Sequence, residues 1–367
     1  MRFISTESLK PGLRLGKSIY NERGQVLLNE GVELTERLIL RLKEMGIPFI
    51  YISDQKTDHL NPRNSISDEL RREAIQTIES TFAQLESVDL ASSFVIEKAS
   101  KRLMELIRTI MNEIKKNQEL LSILSDVYTY DQYIFTHSLN VTLYTLAIGM
   151  ELKLNQKQME TLGMGALLHD VGKMMLPKEI LMKPGRLTDE EFEVVKRHSE
   201  YGFQILRGVQ NLPLLVAHCA YQHHERLDGS GYPRGLKGDD IHSFGKIIAV
   251  ADVFDAVTSN RVYRRAMLPH EGLEILYAGA GIQYDKKVVE AFRKAVAIYP
   301  VGLTVELNDR RKGIVSRQNM GISDRPVLEI LEENGIELNK PYELNLKDHL
   351  DLIIVNCETT FLSNRKN

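Results

Sequence analysis

His137, His169, Asp170, His198, His223, His224 and Asp252 are the residues of this chain best suited to act together. His169 and Asp170 are adjacent, within Ala166-Leu167-Leu168-His169-Asp170-Val171-Gly172-Lys173. Neighbours on a helix project about a hundred degrees apart, because ~3.6 residues complete a turn. An imidazole can therefore serve one metal ion while the carboxylate beside it bridges to a second. Seven of the ten histidines fall between 137 and 242, most of them on apolar helical stretches where an unpaired ring would be costly. A shared metal centre gives them a common partner. Mixed imidazole and carboxylate donors suit iron, manganese, zinc or nickel, and disfavour calcium and magnesium, which prefer oxygen-only shells; of the four, iron or manganese is the expectation carried forward. Two such ions ~3.5–4 Å apart generate a hydroxide nucleophile near neutral pH and stabilise both oxygens of an in-line displacement at phosphorus. The chemistry read from the donors is phosphoester hydrolysis.

Other residues fit a phosphate substrate. Glu225-Arg226-Leu227-Asp228-Gly229-Ser230-Gly231-Tyr232-Pro233 has glycines that allow close backbone approach and a proline that fixes its course; an ordinary glycine-rich turn is the plainer reading. Asp252 and Asp255 lie three apart on one helical face, and Arg261 and Arg264 repeat the spacing with guanidiniums that match phosphate oxygens. Lys173, close after the His-Asp pair, could reach the nucleophile or a phosphate oxygen. His218 reads as an ordinary helix histidine, and His242 as a cap or turn residue.

The elements that must position these groups are helices. From about 126 to 298 the pattern is helical throughout. His137 sits on a segment apolar nearly all round, with Leu139, Val141, Leu143, Leu146 and Ile148 nearby. Asn155 caps a helix that carries Met159, Leu162 and Ala166 to His169, where Gly172 ends it. Thr188 with Glu191 forms a capping box opening a helix whose Val194, Val195, His198, Gly202 and Ile205 share a face. Four or five helices would then converge on one site. The class is mainly α, with a small strand-and-helix unit at residues 1–60, two amphipathic linker helices at 61–125, the helical catalytic part at 126–300 and a β-rich appendage at 301–367. In the first unit a turn is read at Asn21-Glu22-Arg23-Gly24. The linker stripes, Leu70, Ala74, Ile78, Phe82 and Leu85, then Leu103, Leu106, Ile110, Met111 and Ile114, either pack onto the main domain or form a homodimer or signal-relay surface.

Composition excludes several classes. A net charge of -3 gives no overall attraction for nucleic acid polymers or anionic membranes. No apolar run approaches the ~20 residues needed to span a bilayer, and no secretory leader is read at the start, so the expected location is the cytoplasm. Cys219 and Cys357 are too few and too distant for a disulfide framework and are read as reduced.

The ordered series His169-Asp170-Val171-Gly172-Lys173, His198, His223-His224-Glu225, Asp228-Gly229-Ser230-Gly231-Tyr232-Pro233 and Asp252-Val253-Phe254-Asp255-Ala256-Val257-Thr258-Ser259-Asn260-Arg261 resembles the HD-GYP family over residues 126 to 300. The resemblance implies a helical HD-type bundle and a bacterial phosphodiesterase that opens cyclic di-GMP to linear pGpG and, in some members, GMP. It also implies a ligand set: His137, His169, Asp170 and Asp252 on one metal, and Asp170, His198, His223 and His224 on the other. Lys173 would act with Asp170 in catalysis, and Tyr232, Gly231, Pro233, Arg261 and Arg264 would line the nucleotide. Some members hold a third metal through a Glu one turn before the first histidine. Here that position is Tyr133, so two divalent ions are expected, with Asp255 as a weak extra carboxylate. Two alternatives stay open: a cyclic-dinucleotide sensor or scaffold with little turnover, and a phosphodiesterase for another cyclic dinucleotide such as cyclic GMP-AMP.

Overall fold

The computed structural model describes residues 1–20, 26–45, 47, 49–53, 58–60, 66–87, 93–116, 133–181, 183, 185–259, 267, 269–319 and 321–357. Short apolar runs at the start form β1 (Arg2–Ser5), β2 (Arg14–Leu15), β3 (Ile19–Tyr20) and β4 (Val26–Leu28), followed by α1 (Glu36–Glu44) and β5 (Phe49–Ser53). β5 pairs antiparallel with β1 on one side and β2 on the other, and β3 pairs with β4. Thr35 caps α1 by accepting the Leu38 N–H, and the buried Ile39 and Leu42 of that helix close a small core with Ile4, Leu15, Ile50 and Ile52. The turn read at Asn21–Gly24 lies outside the described residues.

The linker helices are α2 (Asp68–Ser87) and α3 (Ser93–Lys116). Their apolar stripes face inward: Leu70, Ala74, Ile78 and Phe82 of α2 and Leu103, Leu106, Ile110, Met111 and Ile114 of α3 are buried in the main core. The side chain of Leu85 lies outside the described residues. Packing onto the main domain is thus the reading these side chains follow.

Behind them run α4 (Tyr133–Glu151), α5 (Gln156–Leu168), α6 (Lys178–Leu181), α7 (Asp189–Lys196), α8 (His198–Arg207), α9 (Leu214–Gln222), α10 (Ser243–Thr258), α11 (Pro269–Gly279) and α12 (Lys286–Ala295). α4 and α10 are buried over most of their length, which their predominantly apolar sequences permit. The capping box at Thr188 with Glu191 forms, and the Asn155 cap is also one, with Gln158 returning the bond. The sequence pattern joins Thr188 to Ile205 in one helix; the structure instead breaks it at Arg197 into α7 and α8. A 3-10 turn, Val171–Met175, follows α5. Gly172 does more there than end a helix, because a Cβ at this position would sit 2.0 Å from the carbonyl oxygen of His198. Only a residue without a side chain lets the turn lie directly on the start of α8.

The C-terminal part is a five-stranded antiparallel sheet of β6 (Thr304–Leu307), β7 (Lys312–Arg317), β8 (Val327–Glu333), β9 (Ile336–Asn345) and β10 (Ile354–Cys357), in the order β10-β6-β7-β8-β9. The sequence reading lacks β8 and β9. Their signal is Asn334-Gly335, both at positive φ (50° and 80°), the dipeptide that suits a tight hairpin. The three-stranded sheet meets the segment leading into the five-stranded one: Phe3 N–H donates to Gly302 O at 2.7 Å and the Tyr51 hydroxyl to Val301 O at 3.3 Å, while Phe3, Tyr51 and Leu303 join the helical core. Both cysteines are buried and form no disulfide. No described helix is long and apolar enough to cross a membrane.

Candidate metal centre

Each predicted donor sits where a helix begins, ends or presents its buried face. His137 and Asp252 lie mid-helix on α4 and α10; His169 is the last cap of α5 and Asp170 follows it; His198 opens α8; His223 and His224 follow α9. Helix ends carry unpaired backbone carbonyls, and these orient the rings. His169 Nδ1 donates to Ala166 O at 2.6 Å, His198 Nδ1 to Val195 O at 2.6 Å, and His223 Nδ1 to Ala220 O at 2.9 Å. A carbonyl can only accept, so Nδ1 holds the proton and each Nε2 turns its lone pair to the centre.

The Nε2 atoms converge on Asp170. One carboxylate oxygen, Oδ2, lies 3.5 Å from His137 Nε2 and 3.4 Å from His169 Nε2; the other, Oδ1, lies 3.4 Å from His198 Nε2 and 3.8 Å from His223 Nε2. Asp252 is divided in the same way, with Oδ1 3.1 Å from His137 Nε2 and Oδ2 3.6 Å from His224 Nδ1. Two groups result, His137 with His169 and Asp252, and Asp170 with His198, His223 and His224, each with donor atoms within 4.8 Å of one another. His169 Nε2 and Asp170 Oδ1 are buried with no hydrogen-bond partner. Lone pairs and carboxylate oxygens facing one another at these distances repel unless cations lie among them. The residues fit a pair of divalent ions.

The electrostatics are consistent with ligation by neutral imidazoles. Burial pushes His198 down to about 4, against the pull of Asp170, and holds His223 and His224 well below the usual histidine range, reinforced by neighbouring imidazoles. For Asp170, burial works against ionisation but is outweighed by Lys173, His169 and His198, so the group stays a carboxylate. His137 differs. Burial opposes its charge, yet hydrogen bonds with Asp252 and Asp255 win and push it up to about 9.

Asp255 is not a spare ligand. Its Oδ2 accepts from His137 Nδ1 at 2.7 Å and its Oδ1 from Asn140 Nδ2 at 3.0 Å. The extra-carboxylate expectation is corrected on that ground: both oxygens are engaged on the far side of the His137 ring. The side chain of Tyr133 lies outside the described residues. Lys173 forms an ion pair with Asp170.

Beside the donors opens a cleft of about 470 Å3, lined by Lys173, His198, His224 and Asp252 together with Arg186, Phe192, Arg226, Tyr232 and the aliphatic Leu187, Val195 and Val253. Tyr232 stacks on the His224 ring, with centroids 4.6 Å apart, and meets Phe192 edge-on at 6.3 Å. The Gly-Tyr-Pro loop is held from beneath by Glu225, whose buried carboxylate accepts from Arg234 N–H at 2.8 Å and Leu236 N–H at 2.9 Å. A Cβ on Gly231 would lie 2.4 Å from the His224 carbonyl oxygen, so this glycine packs against backbone and thereby seats Tyr232. Pro233 follows through a cis peptide bond. Arg261 and Arg264 lie outside the described residues. His242 caps α10, accepting the Phe244 N–H, and His218 lies against the Phe203 ring.

Sequence reasoning missed Arg186, Phe192, Arg226 and the anchoring role of Glu225. Arg226 and Glu225 were legible beside the histidine pair, whereas Arg186 and Phe192 sit between motifs and carry no spacing signal.

The family described as HD domain matches residues 108–288. A cyclic di-GMP phosphodiesterase of Pseudomonas aeruginosa is 38% identical over 215 residues, 59% of this chain and 52% of that protein. The cyclic di-GMP phosphodiesterase response regulator RpfG of Xanthomonas campestris is 43% identical over 151 residues, 41% of this chain and 40% of its own length. A 3'3'-cGAMP-specific phosphodiesterase of Vibrio cholerae is 39% identical over 168 residues, 46% and 36% of the two chains. The chain spans about half or less of the length of these relatives.

Proposed function

We propose, from the match of residues 108–288 to the HD domain family, that this chain is a metal-dependent phosphodiesterase that hydrolyses cyclic di-GMP to linear pGpG, with or without further cleavage to GMP. The observation that carries the reading is the division of the Asp170 carboxylate, one oxygen toward His137 and His169 and the other toward His198 and His223. A carboxylate so placed suits a bridge between two divalent ions, for which we take iron or manganese, with zinc or nickel as alternatives for the mixed imidazole and carboxylate set. Divalent ions in such a set supply Lewis acidity toward phosphoryl oxygens and lower the pKa of water toward neutrality.

The chain's own residues account for the rest. His137, His169 and Asp252 would hold one ion and His198, His223 and His224 the other, with Asp170 placed to serve either. Lys173, paired with Asp170, offers its ammonium to a phosphate oxygen at the floor of the cleft. Arg186, Arg226, Arg261 and Arg264 supply cations for the phosphodiester, and Tyr232 with Phe192 forms an aromatic wall suited to a base. Gly231 and Pro233 set the course of the backbone that presents Tyr232. In this reading residues 126–300 carry the chemistry, and residues 1–60, 61–125 and 301–367 are accessory. The cytoplasm is the place we assign, in keeping with two cysteines that form no disulfide.

Resemblance to a cGAMP-specific relative supports a second reading, cleavage of cyclic GMP-AMP. Purification without oxygen, with metal quantified and products followed on cyclic di-GMP and 3'3'-cGAMP, tests both. Cleavage of cyclic di-GMP supports the first. Tight binding without turnover by the metal-loaded chain would overturn it in favour of a sensor.

A further inference from the structure

The inference rests on the two-ion reading above and concerns what lies behind it. His137 is gripped at both nitrogens by one helix: Asp252 approaches Nε2 at 3.1 Å, and Asp255, three residues further along α10, accepts from Nδ1 at 2.7 Å. The far oxygen of Asp255 accepts from Asn140 Nδ2 at 3.0 Å, and Asn140 Oδ1 in turn accepts from Arg71 Nη1 at 3.5 Å. The orientation of the Asn140 amide is fixed by chemistry, since a carboxylate only accepts and a guanidinium only donates. Arg71 belongs to α2, in the linker, and is 1% exposed, the largest fully buried side chain described. A cation buried this deeply is retained only where it meets compensating polar groups.

We propose that Asp255 is the positioning residue for His137, fixing its tautomer and ring plane for the metal, and that Arg71, acting through Asn140, ties linker helix α2 to that ligand. With Nδ1–H committed to Asp255, the Nε2 lone pair is the one available to an ion. Outer partners of this kind set both the orientation and the basicity of a ligating imidazole. The chain of contacts also gives the accessory segment a physical route to the metal site, since moving α2 would withdraw Arg71 from Asn140 and loosen the second hydrogen bond of Asp255.

The test uses the full chain, stripped of metal by chelation and titrated with Mn2+ alone, the two binding phases being followed by calorimetry. Asp255→Ala should weaken one phase about 10- to 100-fold and leave the other within a few-fold. Asp255→Asn, which keeps an acceptor for the Nδ1 proton, should fall between wild type and Asp255→Ala, and it carries the test should the alanine variant not fold. Arg71→Met should weaken the same phase by a smaller factor, on the order of 3- to 10-fold. Unchanged affinity in both Asp255 variants, or equal loss of both phases, would overturn the positioning role. Loss in Asp255→Asn with none in Arg71→Met would overturn the link to α2. A wild-type chain that takes up no Mn2+ would instead overturn the metal reading itself, which keeps the two failures apart.

Discussion

Gly172 lies so close to His198 that a Cβ on the glycine would fall 2.0 Å from the histidine's carbonyl oxygen and 2.4 Å from the backbone nitrogen of Gly202. The contact brings the turn after Asp170 onto the first residues of α8, and so sets the distance between the Asp170 carboxylate and His198.

Gly172→Ala is therefore expected to separate two metal-binding elements. Backbone atoms cannot move aside as a flexible side chain would, so the cost should be that of overpacking, about 1–3 kcal/mol. Thermal denaturation should show a lowered midpoint and metal analysis a deficit in bound ions. A variant matching wild type in both would refute the packing argument.

Asp170→Ala removes the group shared by both histidine clusters. Cyclic di-GMP cleavage should drop by more than the 10²-fold typical of outer-shell changes, while circular dichroism stays close to wild type. Undiminished turnover would reject the assignment of Asp170.

Chelation should remove activity, and adding back Mn2+ or Fe2+ under anaerobic conditions should restore it. Ions that bind only the folded chain stabilise it by about 2.7 kcal/mol at a hundredfold excess over Kd, so the unfolding midpoint should rise with metal concentration. Two ions per chain are expected; three tightly held ions would show that another ligand exists.

The metal-free chain should have a pH window set by its histidines. His198 is held at about 4 when folded, against an ordinary 6.5, so unfolding takes up a proton as the pH falls below about 6.5. Stability from this group is full above 6.5 and declines toward pH 4, by up to about 3 kcal/mol. His137, raised to about 9, behaves oppositely: its contribution is full below 6.5 and is lost as the pH rises to 9. Denaturant midpoints from pH 4.5 to 9 should peak between these limits. His198→Ala should make the acid side shallower, with the share of the likewise depressed His223 and His224 remaining, and an unchanged acid slope in that variant would count against the assignment.

Arg186 lines the cleft from the segment between α6 and α7. Arg186→Ala should raise KM for the cyclic dinucleotide about 10-fold, the scale of one charge-assisted phosphate contact, with kcat largely kept. A fall in kcat at constant KM would place Arg186 in the chemistry rather than in binding.

Much of the site was legible because its residues are improbable elsewhere. Histidines on helices as apolar as α4 need a partner, and the ordered His-Asp, His-His and Gly-Tyr-Pro motifs carry their own spacing. The cap at Asn155 and the capping box at Thr188 were equally plain, being local. The break at Arg197 was not, since the apolar face runs on from α7 into α8 and periodicity alone does not register an interruption of one residue. Nor were β8 and β9, whose strands have mixed polarity and whose clearest mark is the hairpin dipeptide Asn334-Gly335.

By itself the sequence determined which residue types were available to hold metal and the mainly helical class, because these follow from local chemistry and composition. Tertiary structure alone decided how each carboxylate was employed. Asp252 and Asp255 are alike in sequence, two acids three apart on one helix. The packing of α10 against α4 turns the first toward the inner nitrogen of His137 and the second toward the outer one. That distinction depends on which face of a distant helix lies opposite, a property of the assembled core that no spacing along the chain encodes.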